Sequence, residues 1–190
     1  MVVGENDGSI EEFNPRSGEM LRGFGAKDAS GLHSFVALAF PSDHSGVIAG
    51  FPNGAVLWDM SGGQPLRQIT SEANVFAVAA SGDGRRIATA DLSGVALWDF
   101  DAVRKIAYFR HPFDVRAVTF SPDGQTLASG TYVEGSIRLW SLRSGKLTHR
   151  LDGHESGISA LAYPPRRHRQ QPPRHHRERS GRLSLERLPP

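Results

Sequence analysis

A short apolar strand ending on tryptophan occurs three times in this 190-residue chain, at Trp58, Trp98 and Trp140, with spacings of 40 and 42 residues. A period near forty residues restricts a chain to repeated supersecondary units, each unable to bury its apolar faces alone. The recurring segments read AVLWDM from Ala55, VALWDF from Val95 and SIRLWSL from Ser136, and each follows a turn dipeptide: Asn53-Gly54, Ser93-Gly94 or Glu134-Gly135. Upstream stand the apolar runs FVALAF from Phe35, VFAVAA from Val75 and VRAVTF from Val115. They end in the turn clusters Pro41-Ser42-Asp43, Ser81-Gly82-Asp83-Gly84 and Ser121-Pro122-Asp123-Gly124. A further run follows each cluster, VIAGF from Val47, RIATA from Arg86 and TLASGT from Thr126. Beyond the tryptophans come PLRQI from Pro65, KIAYF from Lys105 and KLTHRL from Lys146. Runs this short, bounded by Gly, Pro, Asn, Asp and Ser, are strands joined by tight turns, so each unit supplies four strands.

Taken in register, the motifs resemble the WD40 repeat family. The carriers are SPDG at Ser121 to Gly124, LWD at Leu57 to Asp59 and Leu97 to Asp99, LDGH at Leu151 to His154, and IRLW at Ile137 to Trp140. The resemblance extends over residues 1–163 and implies an all-β fold, a β-propeller whose four-stranded blades pack face to face around a central channel. On that template three complete blades fall at about residues 34–70, 75–110 and 115–151. Residues 1–24 align with the last three strands of an earlier blade, with Asp7-Gly8 at the turn and Phe13 in place of tryptophan. ISALAY, residues 158–163, reads as the first strand of a further blade. Two arrangements fit these terminal pieces: together they complete one blade of a four-blade ring, or the chain is a segment of a larger propeller. The segment is favoured, because blade faces shaped for a wide ring meet at the wrong wedge angle in a narrow one.

After Tyr163 the composition changes. Of the last 27 residues, 17 are Arg, Pro or His, and residues 164–190 carry 8 basic and 2 acidic groups against 14 and 18 in residues 1–163. A basic tail of this kind builds no packed core and is expected to be disordered. Pro164-Pro165-Arg166-Arg167-His168 stands where Ser-Pro-Asp-Gly is due, and one of the many possible codon choices for Pro165 to His168, read one base over, gives Pro-Asp-Gly-Thr. The tail therefore fits a reading-frame slip near Pro164. RLSLERL, from Arg182 to Leu188, resembles a third strand without its tryptophan and complicates a single slip.

Several function classes have no support in the residues. The chain contains no cysteine, which excludes disulfides and thiolate metal sites. His168, His175 and His176 lie among arginines that repel a cation, so no metal site is expected there. No nucleophile elbow, Gly-rich phosphate loop or HExxH helix occurs, and neither an enzyme nor a cofactor is expected. No signal peptide or long apolar segment is visible, and a cytoplasmic protein is expected, with no membrane partner. The tail contains no aromatic residue for base stacking, which makes nucleic acid an unlikely partner.

The function implied by the resemblance is that of a non-catalytic protein-binding scaffold, its contacts on loops held by a rigid framework. Loops on one face of the disc offer Phe51, Asn53, Asp91, Arg110, His111, Phe113, Tyr132 and Glu134 as candidate partner contacts. Trp58, Trp98 and Trp140 are expected to be structural. In this family a tryptophan, a strand hydroxyl, a histidine and a turn aspartate form a buried network. Here Trp140 has Ser129, His111 and Glu134; Trp98 has Thr89 and a shifted Asp91; Trp58 has Asn53 but no hydroxyl. From the residues alone a complete network is not assigned to any unit. Two other functions compete with the scaffold reading: a propeller enzyme with an unrecognised site, and nonspecific nucleic-acid binding through the tail.

Overall fold

The computed structural model describes residues 1–5, 9–25, 37–41 and 46–164. The Asp7-Gly8 turn, the start of the FVALAF run, the Ser42-Asp43 turn and the tail from Pro165 onward lie outside the described residues. The described chain is all strand, in four antiparallel sheets. The first has three strands, β1 (Val2–Gly4), β2 (Ser9–Phe13) and β3 (Met20–Gly25). The second contains β4 (Ala37–Ala39), β5 (Gly46–Phe51), β6 (Gly54–Asp59) and β7 (Pro65–Thr70). The third contains β8 (Ala77–Ala80), β9 (Arg86–Ala90), β10 (Gly94–Asp99) and β11 (Arg104–Arg110). The fourth contains β12 (Val115–Phe120), β13 (Thr126–Thr131), β14 (Ile137–Ser141) and β15 (Leu147–Leu151). Each sheet is a meander whose strands pair in chain order.

Turn chemistry sets these hairpins. Ser81 Oγ donates to Asp83 Oδ1 at 2.6 Å and accepts from Arg86 N at 3.0 Å, while Gly84, at φ 69°, returns its N–H to Ser81 O. Ser121, Asp123, Thr126 and Gly124 repeat the arrangement one sheet later. The aspartates that follow Trp58 and Trp98 have a local task as well. Asp59 accepts from Ser61 N and Oγ and from Gly62 N, and Asp99 accepts from Ala102 N. These bonds satisfy backbone donors in the turn that sends the chain into its outer strand.

Side chains alternate across each strand, so the two faces of a middle sheet feed different interfaces. Ala77, Ala79, Ala88, Ala90, Val95, Leu97 and Phe109 of the third sheet pack with Val118, Phe120, Leu127 and Trp140 of the fourth. Its opposite face, with Val78, Ile87, Ala96 and Trp98, packs on Ile48, Ala55, Leu57 and Ile69 of the second sheet. Trp58 lies in a third cluster with Ile10 of the first sheet. Because both faces are covered, these strands read as nearly continuous apolar runs. Small alanines on one face leave room for the large rings of the next sheet, and Trp58, Trp98 and Trp140 are 7%, 9% and 9% exposed.

The inner-to-outer pairing shifts register at Leu57/Trp58, Leu97/Trp98 and Leu139/Trp140. The same shift occurs at Glu12/Phe13, which makes Phe13 the positional counterpart of the tryptophans. The extra residue, Leu66, Ile106, Thr148 or Leu21, lies on the outer strand, so a bulge at one fixed place bends that strand opposite the ring-bearing one.

One expected element is corrected. Residues 158–163 do not form a strand. Ile158 nevertheless occupies the first-strand entry: its N–H donates to Thr131 O at 3.0 Å, as Val115 N does to Asp91 O and Val75 N to Pro52 O. A strand is defined by its ladder, and no second strand follows this segment among the described residues to supply one.

Candidate interaction surface

The turns between second and third strands, and the connections between sheets, meet on one rim. Ser71 N donates to Asn53 O at 2.7 Å, His111 N to Ser93 O at 2.8 Å, and Tyr132 N to Asp114 O at 3.1 Å. The connections from the second to the third sheet and from the third to the fourth are thus fastened to neighbouring turns, and side chains there stand on fixed backbone.

Beneath the rim lies a complete buried network. Trp140 Nε1 donates to Ser129 Oγ at 2.9 Å, and the same oxygen lies 2.9 Å from His111 Nε2. His111 Nδ1 lies 3.1 Å from Nη1 of Arg138. A guanidinium has only donors, so Nδ1 accepts and the imidazole proton is on Nε2. Ser129 Oγ then accepts from both rings and turns its own hydrogen toward Arg138 O at 3.4 Å. Burial, then the Arg138 cation, hold His111 at a pKa of about 4 rather than 6.5. Arg138 reaches Glu134 at 3.5 Å, and Arg150 also pairs with Glu134. The Glu134 carboxyl is held below its ordinary range, first by the Ser136 hydroxyl and then by the two arginines.

The other sheets carry reduced versions. Trp98 Nε1 donates to Thr89 Oγ1 at 2.9 Å. Asp91 Oδ1 accepts from Ser93 N and from Tyr108 OH, each at 2.7 Å, and burial followed by this bond raises the Tyr108 pKa. Ala49 occupies the register position of Thr89 and Ser129.

The structure divides the eight candidate contacts. Phe51, Asp91 and His111 are 2%, 5% and 8% exposed, which corrects their expected role as partner contacts. Phe51 packs in the cluster that holds Trp58 and Ile10, and the other two are held in the hydrogen bonds just described. Their loop-end positions conceal this, because each side chain points back beneath the rim. Glu134 is partly buried and held by Ser136 and two arginines. Asn53, Arg110, Phe113 and Tyr132 are exposed, the last at 57%, with Val133 beside it at 66%.

Three rim residues, Phe76, Arg116 and Ser159, escaped the sequence reading. Arg116 lies with its guanidinium 3.8 Å from the Phe76 ring centroid and 5.7 Å from that of Tyr132, and its Nε donates to Asp114 Oδ2 at 2.9 Å. Arg116, Tyr132 and Ser159 line a cavity of about 450 Å³. Phe76, Arg116 and Ser159 each follow the first apolar residue of their segment, and that shared position was the available signal. Arg138 was missed too, although a cation inside the apolar run IRLW marks it. Among the described residues no group of His, Asp and Glu is gathered to hold a metal, and no helix is long and apolar enough to cross a membrane.

The stacked meanders, with an indole between each pair, define a β-propeller repeat architecture. The family model described as WD domain, G-beta repeat matches residues 104–141. With the all-strand chain and its four-stranded sheets, that match fits a segment of a WD40 propeller. The matched unit takes β11 from one sheet and β12, β13 and β14 from the next, so His111 and Trp140 belong to one sequence repeat. WD40 repeats generally serve as protein-interaction modules. A search of curated proteins finds no match to this chain.

Proposed function

We propose that this chain is a non-catalytic protein-binding scaffold whose partner docks on the rim at Tyr132, Val133, Phe113, Arg110 and Arg116. The observation that carries this reading is the exposure of Tyr132 and Val133, at 57% and 66%, on a turn fastened by Thr131, Ser136 and Asp114. Large apolar groups held in water by a rigid turn lose little conformational freedom on binding, and aromatic and arginine side chains dominate interface energetics. Arg116, flattened on Phe76 beside Tyr132, adds a preorganised planar cation.

The test compares binding of a partner, first captured by the wild-type chain and then purified, to Tyr132→Ala, Arg116→Ala and Leu147→Ala. Leu147 is 45% exposed on the outer strand, away from the rim. The rim variants should weaken binding by about tenfold or more, and Leu147→Ala should leave it unchanged. Loss at Leu147 with full binding by both rim variants would contradict the assignment.

A further inference from the structure

The third and fourth sheets use the same place differently. In the fourth, the space between the indole and the rim turn is filled by the His111 imidazole and the Arg138 guanidinium. In the third, the corresponding residues are Ser71 and Ala96. Ser71 bonds to the preceding rim turn as His111 does, and Ala96 pairs with Thr89 as Arg138 pairs with Ser129. Both replacements are small, and a cavity of about 320 Å³ opens there, lined by Ser71, Asp91, Ala96, Trp98, Lys105 and Tyr108 among others.

The walls have a definite chemistry. Asp91 is 5% exposed, and both of its bonds, from Ser93 N and Tyr108 OH, fall on Oδ1, so Oδ2 takes part in neither. Trp98 supplies an aromatic wall, and Ser71 and Thr70 also line the cavity. Glu72 contributes a second carboxylate. Lys105 Nζ lies 5.8 Å from the Trp98 ring centroid, so this indole already accommodates a cation. Two carboxylates outnumber that one amine, and Lys105 is exposed and flexible enough to swing aside.

We infer that this cavity is a binding site for a guanidinium group, supplied by an arginine side chain of a partner. A planar cation with several N–H donors matches a carboxylate beside an aromatic wall, as an ammonium of point-like charge does not. The fourth sheet provides the internal precedent, with its own guanidinium in the equivalent place and bonded toward an acidic residue of the rim turn. Its lining residues lie on the same rim but are not those of the proposed docking patch, and the site stands without that reading.

The experiment titrates the ¹⁵N-labelled chain with methylguanidinium chloride, using sodium chloride at equal ionic strength as the blank. The Trp98 indole N–H and Tyr108 amide signals should shift saturably while the Trp140 indole stays in place, since its blade is already filled. A capped Gly-Arg-Gly peptide should shift the same signals with equal or greater affinity. The double variant Ser71→His/Ala96→Arg, which copies the filled sheet, should weaken binding by about tenfold or more, the factor that ~1.4 kcal/mol represents. Ser71→His alone, in a partly exposed connection, gives the same readout if the double variant does not fold. No saturable shift at Trp98, equal shifts at Trp98 and Trp140, or undiminished binding by a folded filled variant would overturn the site. Binding of methylguanidinium without the peptide would overturn the arginine side chain as its occupant.

Discussion

Arg138 donates an N–H to Nδ1 of His111 across 3.1 Å, and that bond fixes the neutral imidazole with its proton on Nε2, aimed at Ser129. A second proton on His111 would place N–H against N–H and one cation beside another. Burial and this neighbour together account for the pKa of about 4.

Stability should therefore fall as pH is lowered through this range. The folded-state pKa lies below the ordinary 6.5, so between about 6.5 and 4 the unfolded chain binds a proton that the folded chain refuses. The contribution is fully present above 6.5, declines as pH falls and levels off below about 4, amounting to about 3 kcal/mol at most. Urea midpoints measured across that interval should decline for the wild type and decline less for His111→Gln. Equal slopes would remove His111 as the cause.

Replacing Arg138 by Met separates the charge from the burial. The His111 midpoint, followed by its ring carbon-bound proton signals, should rise above about 4 yet stay below 6.5, because desolvation remains. A midpoint that does not move would mean that Arg138 exerts no field on the ring.

Ser129 accepts from two rings and Thr89 from one, so their alanine variants should differ in cost. Ser129→Ala leaves two buried donors without an acceptor and should cost about 2–4 kcal/mol, against about 1–2 kcal/mol for Thr89→Ala. Chemical denaturation of the two variants checks the order. Equal costs would show that His111 finds another acceptor.

Much of the architecture was legible because sheet-forming information is local. Turn chemistry at Ser81 to Gly84 and Ser121 to Gly124, and the spacing of three tryptophans, specify hairpins without knowledge of distant contacts. Phe13 was recognisable as a tryptophan counterpart for the same reason. Side-chain direction at loop ends was not legible. Asp91 and His111 sit one step from exposed neighbours and Phe51 two steps from exposed Asn53, and only the pairing of successive sheets decides that they turn inward. The strand expected at residues 158–163 failed on a nonlocal condition as well, since its apolar pattern supplies no ladder partner. The role of Arg138 was not legible either, because its partners, His111 and Glu134, are brought to it by an inter-sheet connection and a separate turn.

Tyr132→Ser should change stability by no more than about 0.5 kcal/mol, as expected of a side chain that is 57% exposed and remote from the core clusters. Thermal denaturation tests this. A large loss would mean that the ring is a structural clamp on Arg116 rather than a free contact.

The account depends most on sheets stacked face to face through their indoles. Phe109, on the outer strand of the third sheet, lies 5.1 Å, centroid to centroid, from Trp140 in the fourth. Nuclear Overhauser spectroscopy should therefore give strong cross-peaks between the Phe109 ring and the Trp140 indole. If these are absent, and the Trp140 indole N–H exchanges with solvent as fast as a free side chain, the stacking on which the network, the cavity and the rim all rest is contradicted.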